Sequence, residues 1–276
     1  MQELGTDIKI WRKWELISSF DSKKTFYQLN TKKDIPIIFI HGVGLNHSMW
    51  EPQVNAFDNT VLTYDILGHG NTPLIKENIT FDDFSNQLIH LVDELDIKKF
   101  HLVGFSIGSL IARNFACNYN NRLESLTLLC SVFERSKVQQ QTVNDRFELS
   151  KKSRTLSKQA LNRWFSGEYL NKNPKIYEKI SNILEKNDIQ NFLKVYELFV
   201  QHKDIEEFHK INSKTLVITG EGDVGSTPEM SKKLSNVIKN SILKIVPKGK
   251  HLCSIECPDD VNNEIRKLIN GWFKTI

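Results

Sequence analysis

The sequence predicts an α/β fold: a mostly parallel central sheet flanked by helices, with a helical cap inserted after the sixth strand. Three observations predict it. Apolar runs with the length of buried strands alternate with amphipathic helical segments along most of the chain. This alternation stops at residue 133 and resumes at residue 214. Near the middle, an apolar run enters the turn Gly104-Phe105-Ser106-Ile107-Gly108, and a helical pattern follows it.

Six strands are predicted before the insertion. The first two are short and antiparallel, at a sheet edge within residues 3–30, where apolar residues alternate loosely around Trp11, Trp14, Phe20 and Phe26. The next four are the apolar runs 35–40, 60–66, 100–103 and 123–132. Helical patterns cover residues 49–57, 81–95 and 107–119.

The insertion is lysine-rich and nearly free of strand patterns. Its helices are expected over residues 139–150, 156–165, 175–185 and 189–201. Strands 214–219 and 241–246 then alternate with helices 227–238 and 258–272. We therefore expect a core domain of residues 1–132 and 213–276 and a cap of residues 133–212. Because ligands of open parallel sheets bind outside the carboxyl ends of the strands, the cap is expected to cover Ser106.

Composition excludes several function classes. The chain has 37 basic and 33 acidic residues with interspersed signs, which is not the pattern of a nucleic-acid-binding protein. No segment has the length of a membrane span, and residues 1–16 lack the apolar core of a signal peptide, so we expect a cytoplasmic protein. The four cysteines have neither disulfide nor zinc spacing, so no metal site is expected from them. The serine chemistry inferred below needs no cofactor, so none is expected. A homodimer is compatible with the sequence, which does not determine the oligomeric state.

Ser106 has the context of a catalytic nucleophile. A Cβ at Gly104 or Gly108 would strike the neighbouring strand or helix, and the turn forces the apex residue into a strained backbone conformation. Its hydroxyl then lies at a helix N-terminus, where negative charge is favoured. The Gly-x-Ser-x-Gly pattern alone also occurs by chance. Requiring a strand before it and a helix after it excludes most chance matches.

A nucleophilic serine needs a base and a group that orients the base. The expected chain order is serine, acid, histidine, on loops after later strands. Asp223 ends one such strand in a glycine-rich turn, and His251 follows the next strand. Glu221 is the nearest rival acid, whereas Asp65 precedes the nucleophile and is expected to hold its own turn.

Two backbone N–H groups are expected to bind the oxyanion of a tetrahedral intermediate. One belongs to Ile107, which follows the nucleophile. The other is assigned to Val43, in the loop after strand 35–40, because the glycines at 42 and 44 let that loop approach closely. His41 is expected to brace the loop.

Several motifs together carry a resemblance to a known family. They are His41-Gly42-Val43-Gly44-Leu45-Asn46-His47-Ser48-Met49-Trp50, Asp65-x-x-Gly68-His69-Gly70, Gly104-Phe105-Ser106-Ile107-Gly108, Gly220-x-x-Asp223, His251 and the cap piece Ala160-Leu161-Asn162-Arg163-Trp164-Phe165. With these motifs the chain resembles an α/β-hydrolase over its whole length and, within that superfamily, the 3-oxoadipate enol-lactonase group. Similar loops occur in esterases and in aminoacrylate-hydrolase-like proteins.

Three positions depart from the enol-lactonase pattern. Ile107 replaces the methionine usual after the nucleophile, Lys250 replaces a small residue before the histidine, and the acid loop 223–228 is one residue longer. All three keep the chemistry possible but change the expected pocket wall.

Substrate contacts are expected from apolar and basic side chains near the site. Trp50, Phe133 and Trp164 are candidate walls, although such residues are more often plain core. Arg135, Arg163 and Lys250 are candidates to pair with the carboxylate that the enol-lactone resemblance implies, the alternative being a solvated surface position.

The sequence therefore predicts a serine hydrolase of a small ester or lactone that works through an acyl-enzyme. A carbon–carbon bond hydrolase or an amide or carbamate hydrolase with the same three residues stays open. A ligand receptor on a hydrolase scaffold is the alternative from another class.

Overall fold

The computed structural model describes residues 16–74, 76–152 and 156–271. Its eight strands form one sheet in the order β1-β2-β4-β3-β5-β6-β7-β8, antiparallel at β1, β2 and β4 and parallel from β4 onward. The strands are β1 (Leu16–Phe20), β2 (Phe26–Asn30), β3 (Lys33–Ile40), β4 (Asn59–Tyr64), β5 (Phe100–Phe105), β6 (Leu123–Leu129), β7 (Lys214–Gly220) and β8 (Ser241–Val246). This confirms the predicted fold class.

The helices of the core alternate with the parallel strands, as right-handed crossovers require. They are α1 (Glu51–Val54), α2 (Phe81–Glu94), α3 (Ile107–Tyr119), α9 (Pro228–Val237), α10 (Cys253–Glu256) and α11 (Pro258–Ile269). Five further helices, called here the cap helices, lie between β6 and β7. They are α4 (Lys137–Lys152), α5 (Leu156–Trp164), α6 (Gly167–Lys172), α7 (Pro174–Lys186) and α8 (Ile189–Gln201).

The predicted strands and helices that fall within the described residues are present in the structure. The structure differs from the prediction in where some elements end and in two short helices. The strand predicted over 123–132 ends at Leu129, because Cys130 takes a positive φ of 51° that a strand cannot continue through. The short helices α6 and α10 were not predicted, since four to six residues carry too little periodicity to detect. Trp11 and Trp14 lie outside the described residues.

The parallel strands are buried on both faces, which explains their continuous apolar runs. In β3, Ile38 and Ile40 pack in one core with α2 and α3, whereas Ile37 and Phe39 pack in the other with α11. The sheet is therefore rigid at its centre, where β5 carries Ser106 at its carboxyl end.

None of the helices in the described ranges is long and apolar enough to span a bilayer. All four cysteines are free thiols.

Candidate active site

Ser106 lies between β5 and α3 in a strained turn. Its φ is 55° and its ψ is −118°, a conformation that L-residues adopt only when the surroundings impose it. A Cβ on Gly104 would lie 2.2 Å from the carbonyl oxygen of Gly108, and one on Gly108 would lie 2.4 Å from that of Ile40. The two glycines are therefore required by the close contact of β5, α3 and β3, as expected from the sequence.

The structure brings Ser106, His251 and Asp223 together. The Nε2 of His251 is 3.3 Å from the Oγ of Ser106, and its Nδ1 is 2.7 Å from the Oδ2 of Asp223. His251 follows β8 and Asp223 follows β7, so both project from the same sheet edge as Ser106. This arrangement can transfer the serine proton to the imidazole while the carboxylate holds the ring.

Electrostatics favour the charged form of the His251–Asp223 pair. Burial alone would lower the pKa of His251, but the charge of Asp223 and the hydrogen bond to it outweigh burial and raise that pKa above its ordinary value. Burial alone would raise the pKa of Asp223. The charge of His251 and hydrogen bonds from the ring and the backbone reverse this and lower it. The pair can thus stabilise the imidazolium that forms when the serine is deprotonated.

Backbone hydrogen bonds within the acid loop hold the carboxylate of Asp223. The N–H groups of Gly225 and Ser226 donate to the Oδ1 of Asp223 at 2.8 and 2.9 Å, which leaves Oδ2 for His251. Thr227 then caps α9 by accepting from the N–H of Met230. The orienting carboxylate is consequently fixed at both oxygens before any ligand binds.

The loop after β3 lies against the nucleophile. A Cβ on Gly42 would lie 3.4 Å from the Cβ of Ser106, and Val43 lines the same cavity as Ser106. Ile107 is the first residue of α3, and the first N–H groups of a helix have no intrahelical partner. Val43 therefore lines the cavity beside Ser106, and Ile107 follows Ser106 directly at the start of α3.

Neutral histidines hold the β3 and β4 loops together. The Nε2 of His41 accepts from the N–H of Ile66, and that of His69 accepts from the N–H of Gly44. Burial lowers the pKa of His41 to about 4 and that of His69 to about 3, so both stay uncharged acceptors. Asp65 accepts from the backbone N–H groups of His47 and Asn71, which agrees with its expected structural role.

A cavity of about 230 Å³ opens above Ser106 and is lined by the core on one side and the cap helices on the other. The core contributes Val43, Ser106, Val132, Asp223, Val224, Gly225, Ser226 and His251. From residues 135–199 come Arg135, Gln139, Thr142, Val143, Arg146, Ser150, Ala160, Arg163, Trp164, Leu184, Glu185, Asn187, Ile189, Phe192, Tyr196 and Phe199. The size suits a small molecule.

Three of the six substrate-contact candidates reach this cavity. Trp164, Arg135 and Arg163 line it, and the ring of Trp164 lies 6.2 Å from that of His251. The carbonyl of Trp164 also accepts from the N–H of Leu252, next to the histidine. Arg135 and Arg163 are half-buried and are not solvated surface positions.

The other three candidates do not line the cavity, contrary to the sequence prediction. Trp50 is fully buried beneath the sheet, packed against Phe39 and Phe105. Phe133 packs edge-on against Phe208, away from the cavity lining. Lys250 also points elsewhere, because its Nζ donates to the carbonyl of Asn162.

Sequence reasoning missed Arg146 and Tyr196. The sequence did contain a signal. The cavity-lining residues of α4 are 139, 142, 143, 146 and 150, which share one helical face, and two of them, Val143 and Ser150, are buried. An arginine on the buried face of an amphipathic helix is unusual and could have marked a ligand contact.

One cluster of potential metal ligands lies where the cap rejoins the core. It contains His202, Asp204 and Glu206. The guanidinium of Arg113 lies 2.7 Å from a carboxylate oxygen of both acids, so a side-chain cation already satisfies them. We interpret the cluster as a buried ion-pair network.

Comparison with protein-family models matches residues 35–258 to the alpha/beta hydrolase fold. The chain is 26% identical over 271 residues to 3-oxoadipate enol-lactonase 1 of Acinetobacter baylyi, covering 95% of this chain and 97% of that protein. It is 24% identical over 258 residues to (E)-2-((N-methylformamido)methylene)succinate hydrolase of the same organism, covering 92% and 96%.

A solved structure supports the same conclusion about the fold. The enol-lactonase from Burkholderia xenovorans superposes with a TM-score of 0.80 at 23% identity, over 89% of this chain and 97% of that one. These matches confirm the resemblance drawn from the motifs.

Proposed function

The chain belongs to the α/β-hydrolase family, and we propose that it is a serine hydrolase that cleaves a small carboxylic ester or lactone through an acyl-enzyme. One observation carries the proposal. A continuous chain of contacts runs from the Oγ of Ser106 through His251 to Asp223, and it opens into a cavity.

In the first step, the Nε2 of His251 takes the proton of Ser106 while Oγ attacks the substrate carbonyl carbon. The 3.3 Å separation is longer than an ideal hydrogen bond, which is common before substrate binds. Asp223 keeps the proton on Nδ1 and stabilises the imidazolium. The strained position of Ser106 presents Oγ to the cavity.

The carbonyl oxygen becomes an oxyanion, which we assign to the N–H groups of Val43 and Ile107. The macrodipole of α3 adds favourable potential at the same point. When the tetrahedral intermediate collapses, His251 gives its proton to the leaving oxygen. In a lactone that oxygen stays attached through the acyl chain.

In the second half, water attacks the acyl-enzyme. His251 takes a proton from the water, and the second tetrahedral intermediate releases the carboxylic acid and returns the proton to Oγ. The chemistry is complete with the side chains present.

Similarity to 3-oxoadipate enol-lactonase supports a lactone substrate, including an enol-lactone that bears a carboxylate. A second candidate is hydrolysis of an amide or related bond, because another relative is named for a formamido-substituted methylenesuccinate. Ser106, His251 and Asp223 can serve both reactions. The same three residues can also serve hydrolysis of a carbon–carbon bond, which is a third candidate.

The decisive experiment compares wild type with Ser106→Ala on p-nitrophenyl acetate and butyrate, small lactones including an enol-lactone, and an N-acyl compound. We expect kcat to fall by roughly 10³-fold or more in the variant, with a trapped acyl adduct on Ser106 in wild type only. Ser131→Ala is the matched control, because its Oγ is buried and makes no hydrogen bond within the described residues.

Turnover that survives in Ser106→Ala, or a folded wild type with neither turnover nor adduct, would overturn the acyl-enzyme mechanism. Tight ligand binding without turnover would instead support a receptor. The best substrate of the panel separates lactonase, esterase and amidase.

A further inference from the structure

Three arginines, Arg135, Arg146 and Arg163, line the cavity above Ser106 and are called here the cavity arginines. They come from three places in the sequence: the segment before α4, the middle of α4 and the end of α5. All three are half-buried. Their convergence on one cavity is therefore produced by the packing of the cap helices and not by a local charge run.

The cavity arginines lack the partners that usually neutralise a partly buried cation. Arg135 donates to the carbonyls of Val200 and Phe199, and its guanidinium lies 4.6 Å from the centre of the Phe199 ring. Arg163 donates to the carbonyl of Gln159 in its own helix. Within residues 16–74, 76–152 and 156–271, no carboxylate oxygen lies within 4.0 Å of a cavity arginine.

Two of these arginines, Arg146 and Arg163, lie close enough for their charges to interact. Burial lowers the pKa of Arg163, and the nearby charge of Arg146 lowers it further. Burial lowers the pKa of Arg135 to about 10. The charges of Asp204 and Tyr196 oppose this lowering, and the charge of Arg113 adds to it. The repulsion between the guanidinium groups of Arg146 and Arg163 is unfavourable in the empty cavity. An anion that binds between these two groups would relieve it.

The surroundings are suited to an anion with several oxygens. Tyr196 packs between the rings of Phe147, Phe192 and Phe199 and lines the cavity near the arginines. The lining also holds the neutral polar side chains of Gln139, Thr142, Ser150 and Asn187. The donors of Thr142, Ser150 and Asn187 already serve backbone carbonyls. Among the described residues, the amide of Gln139 and the hydroxyl of Tyr196 remain to donate to an anion.

The charged side chains that line the cavity are not balanced in number. On the cap side of the lining, the three arginines face a single carboxylate, that of the exposed Glu185. The charge of Asp223 on the core side is already engaged by His251. Two positive charges therefore remain for the ligand to neutralise.

The lining contains no lysine among the described residues, although lysines far outnumber arginines in the chain. Arginine presents a planar fork of donors that matches a carboxylate or phosphate in a bidentate manner, which lysine does not. The choice of side chain thus favours recognition of an oxyanion over a general positive surface.

We propose that the cavity arginines form a subsite for an acyl group whose far end carries two negative charges, either one phosphate-type group or two carboxylates. This inference rests on the proposed function, because it places the subsite opposite the ester or lactone carbonyl that Ser106 attacks. The subsite selects the substrate by its charge, and the core performs the hydrolysis.

The test uses four p-nitrophenyl esters of matched chain length at about pH 9, where a phosphonate, whose second pKa lies above that of a phosphate ester, carries close to two charges. They are the neutral hexanoate, the singly charged adipate monoester, the doubly charged 5-phosphonopentanoate and the doubly charged 5,5-dicarboxypentanoate. We expect kcat/KM to rise from the hexanoate to the adipate and again, by about tenfold or more, to the dianions. The two dianions distinguish a phosphate-type head from a dicarboxylate.

The variants are Arg146→Gln, Arg163→Gln and the double variant, with Arg266→Gln as the matched control. Arg266 also donates to a backbone carbonyl and lies over an aromatic ring, that of Phe57, but it is not part of the cavity lining. We expect each cavity variant to lower the dianion-to-hexanoate ratio of kcat/KM by about tenfold and the double variant to abolish it. Arg266→Gln should leave the ratio unchanged.

Calorimetric binding of 5-phosphonopentanoate to wild type and to the double variant separates this inference from the proposed function. If the esters are cleaved with dependence on Ser106 but show no preference for charge, the inference fails and the function stands. If no ester is cleaved but wild type binds the phosphonate and the double variant does not, the function fails and the subsite stands. Equal losses for the hexanoate and the dianions would overturn the subsite by showing that the arginines only hold the cap.

Discussion

The two sides of the cavity balance their charges in different ways. On the core side, Asp223 accepts from His251 and from two backbone N–H groups. Arg113 of α3 is wholly buried, yet it donates to Asp204, Glu206 and the carbonyl of Val132. The core therefore satisfies its ionised groups from within the protein.

On the cap side, the cavity arginines have only neutral acceptors among the residues that the structure describes. Groups that must perform the same proton transfer for every substrate benefit from being fixed before the substrate arrives. Groups that recognise a substrate must instead keep part of their bonding capacity for it. The comparison teaches that the two tasks are divided: residues at the sheet edge carry out the proton transfer, and the cap helices carry the groups left to recognise a substrate.

The largest effect is expected from breaking the core side at its acid. Asp223→Asn keeps the shape of the side chain but removes the charge that stabilises the imidazolium, so kcat should fall by roughly 10³- to 10⁴-fold. Steady-state kinetics on the hexanoate ester measure this loss. Glu221→Gln is the matched control, since this exposed acid in the same loop contacts the N–H of Lys248 and should leave kcat within about twofold.

The second prediction compares two arginines directly. Arg113→Met strands the carboxylates of Asp204 and Glu206 without their cation, and the free energy of unfolding should drop by about 3–5 kcal/mol. Arg135→Met removes a cation without a carboxylate partner and should cost no more than about 1 kcal/mol. Urea denaturation of both variants gives the two numbers. If both variants lose a similar free energy of unfolding, Arg135 contributes to stability as much as Arg113 does. The proposed difference between the core and the cavity arginines would then be wrong.

The smallest effect concerns pH. His251 acts as a base only when neutral, and its pKa in the folded protein lies above the ordinary value of 6.5. The rate kcat/KM on the neutral hexanoate should therefore rise with pH, by up to about tenfold per unit, along a limb centred above 6.5. In Asp223→Asn the limb should move to lower pH, because the charge that raises the pKa is gone. A wild-type limb at or below 6.5 would contradict the interpretation of the pair.

His251 and Asp223 also make the free energy of unfolding depend on pH, and their two contributions change in opposite directions as pH rises. The raised pKa of His251 gives stability that is present at low pH and is lost as pH rises through the folded-state pKa. The lowered pKa of Asp223 gives stability that is present above its ordinary value of 3.8 and is lost as pH falls below it.

The sequence by itself determined the order of strands and helices and the candidate triad. Buried parallel strands are recognisable because both their faces are apolar, and the turn around Ser106 is recognisable because backbone contact excludes any Cβ at Gly104 and Gly108. The positions of Asp223 and His251 followed from strand ends, since parallel strands bring their carboxyl ends to one edge. These are local signals or consequences of topology.

Only the tertiary structure decided which side chains face the cavity. An apolar residue looks the same in sequence whether it packs in the core, as Trp50 and Phe133 do, or lines a pocket, as Trp164 does. For Arg146 the helical face was readable, but the rotation of α4 that turns this face to the cavity depends on packing against α8. Because contacts between distant segments fix such rotations, the convergence of the three cavity arginines could not be deduced from their positions in the chain.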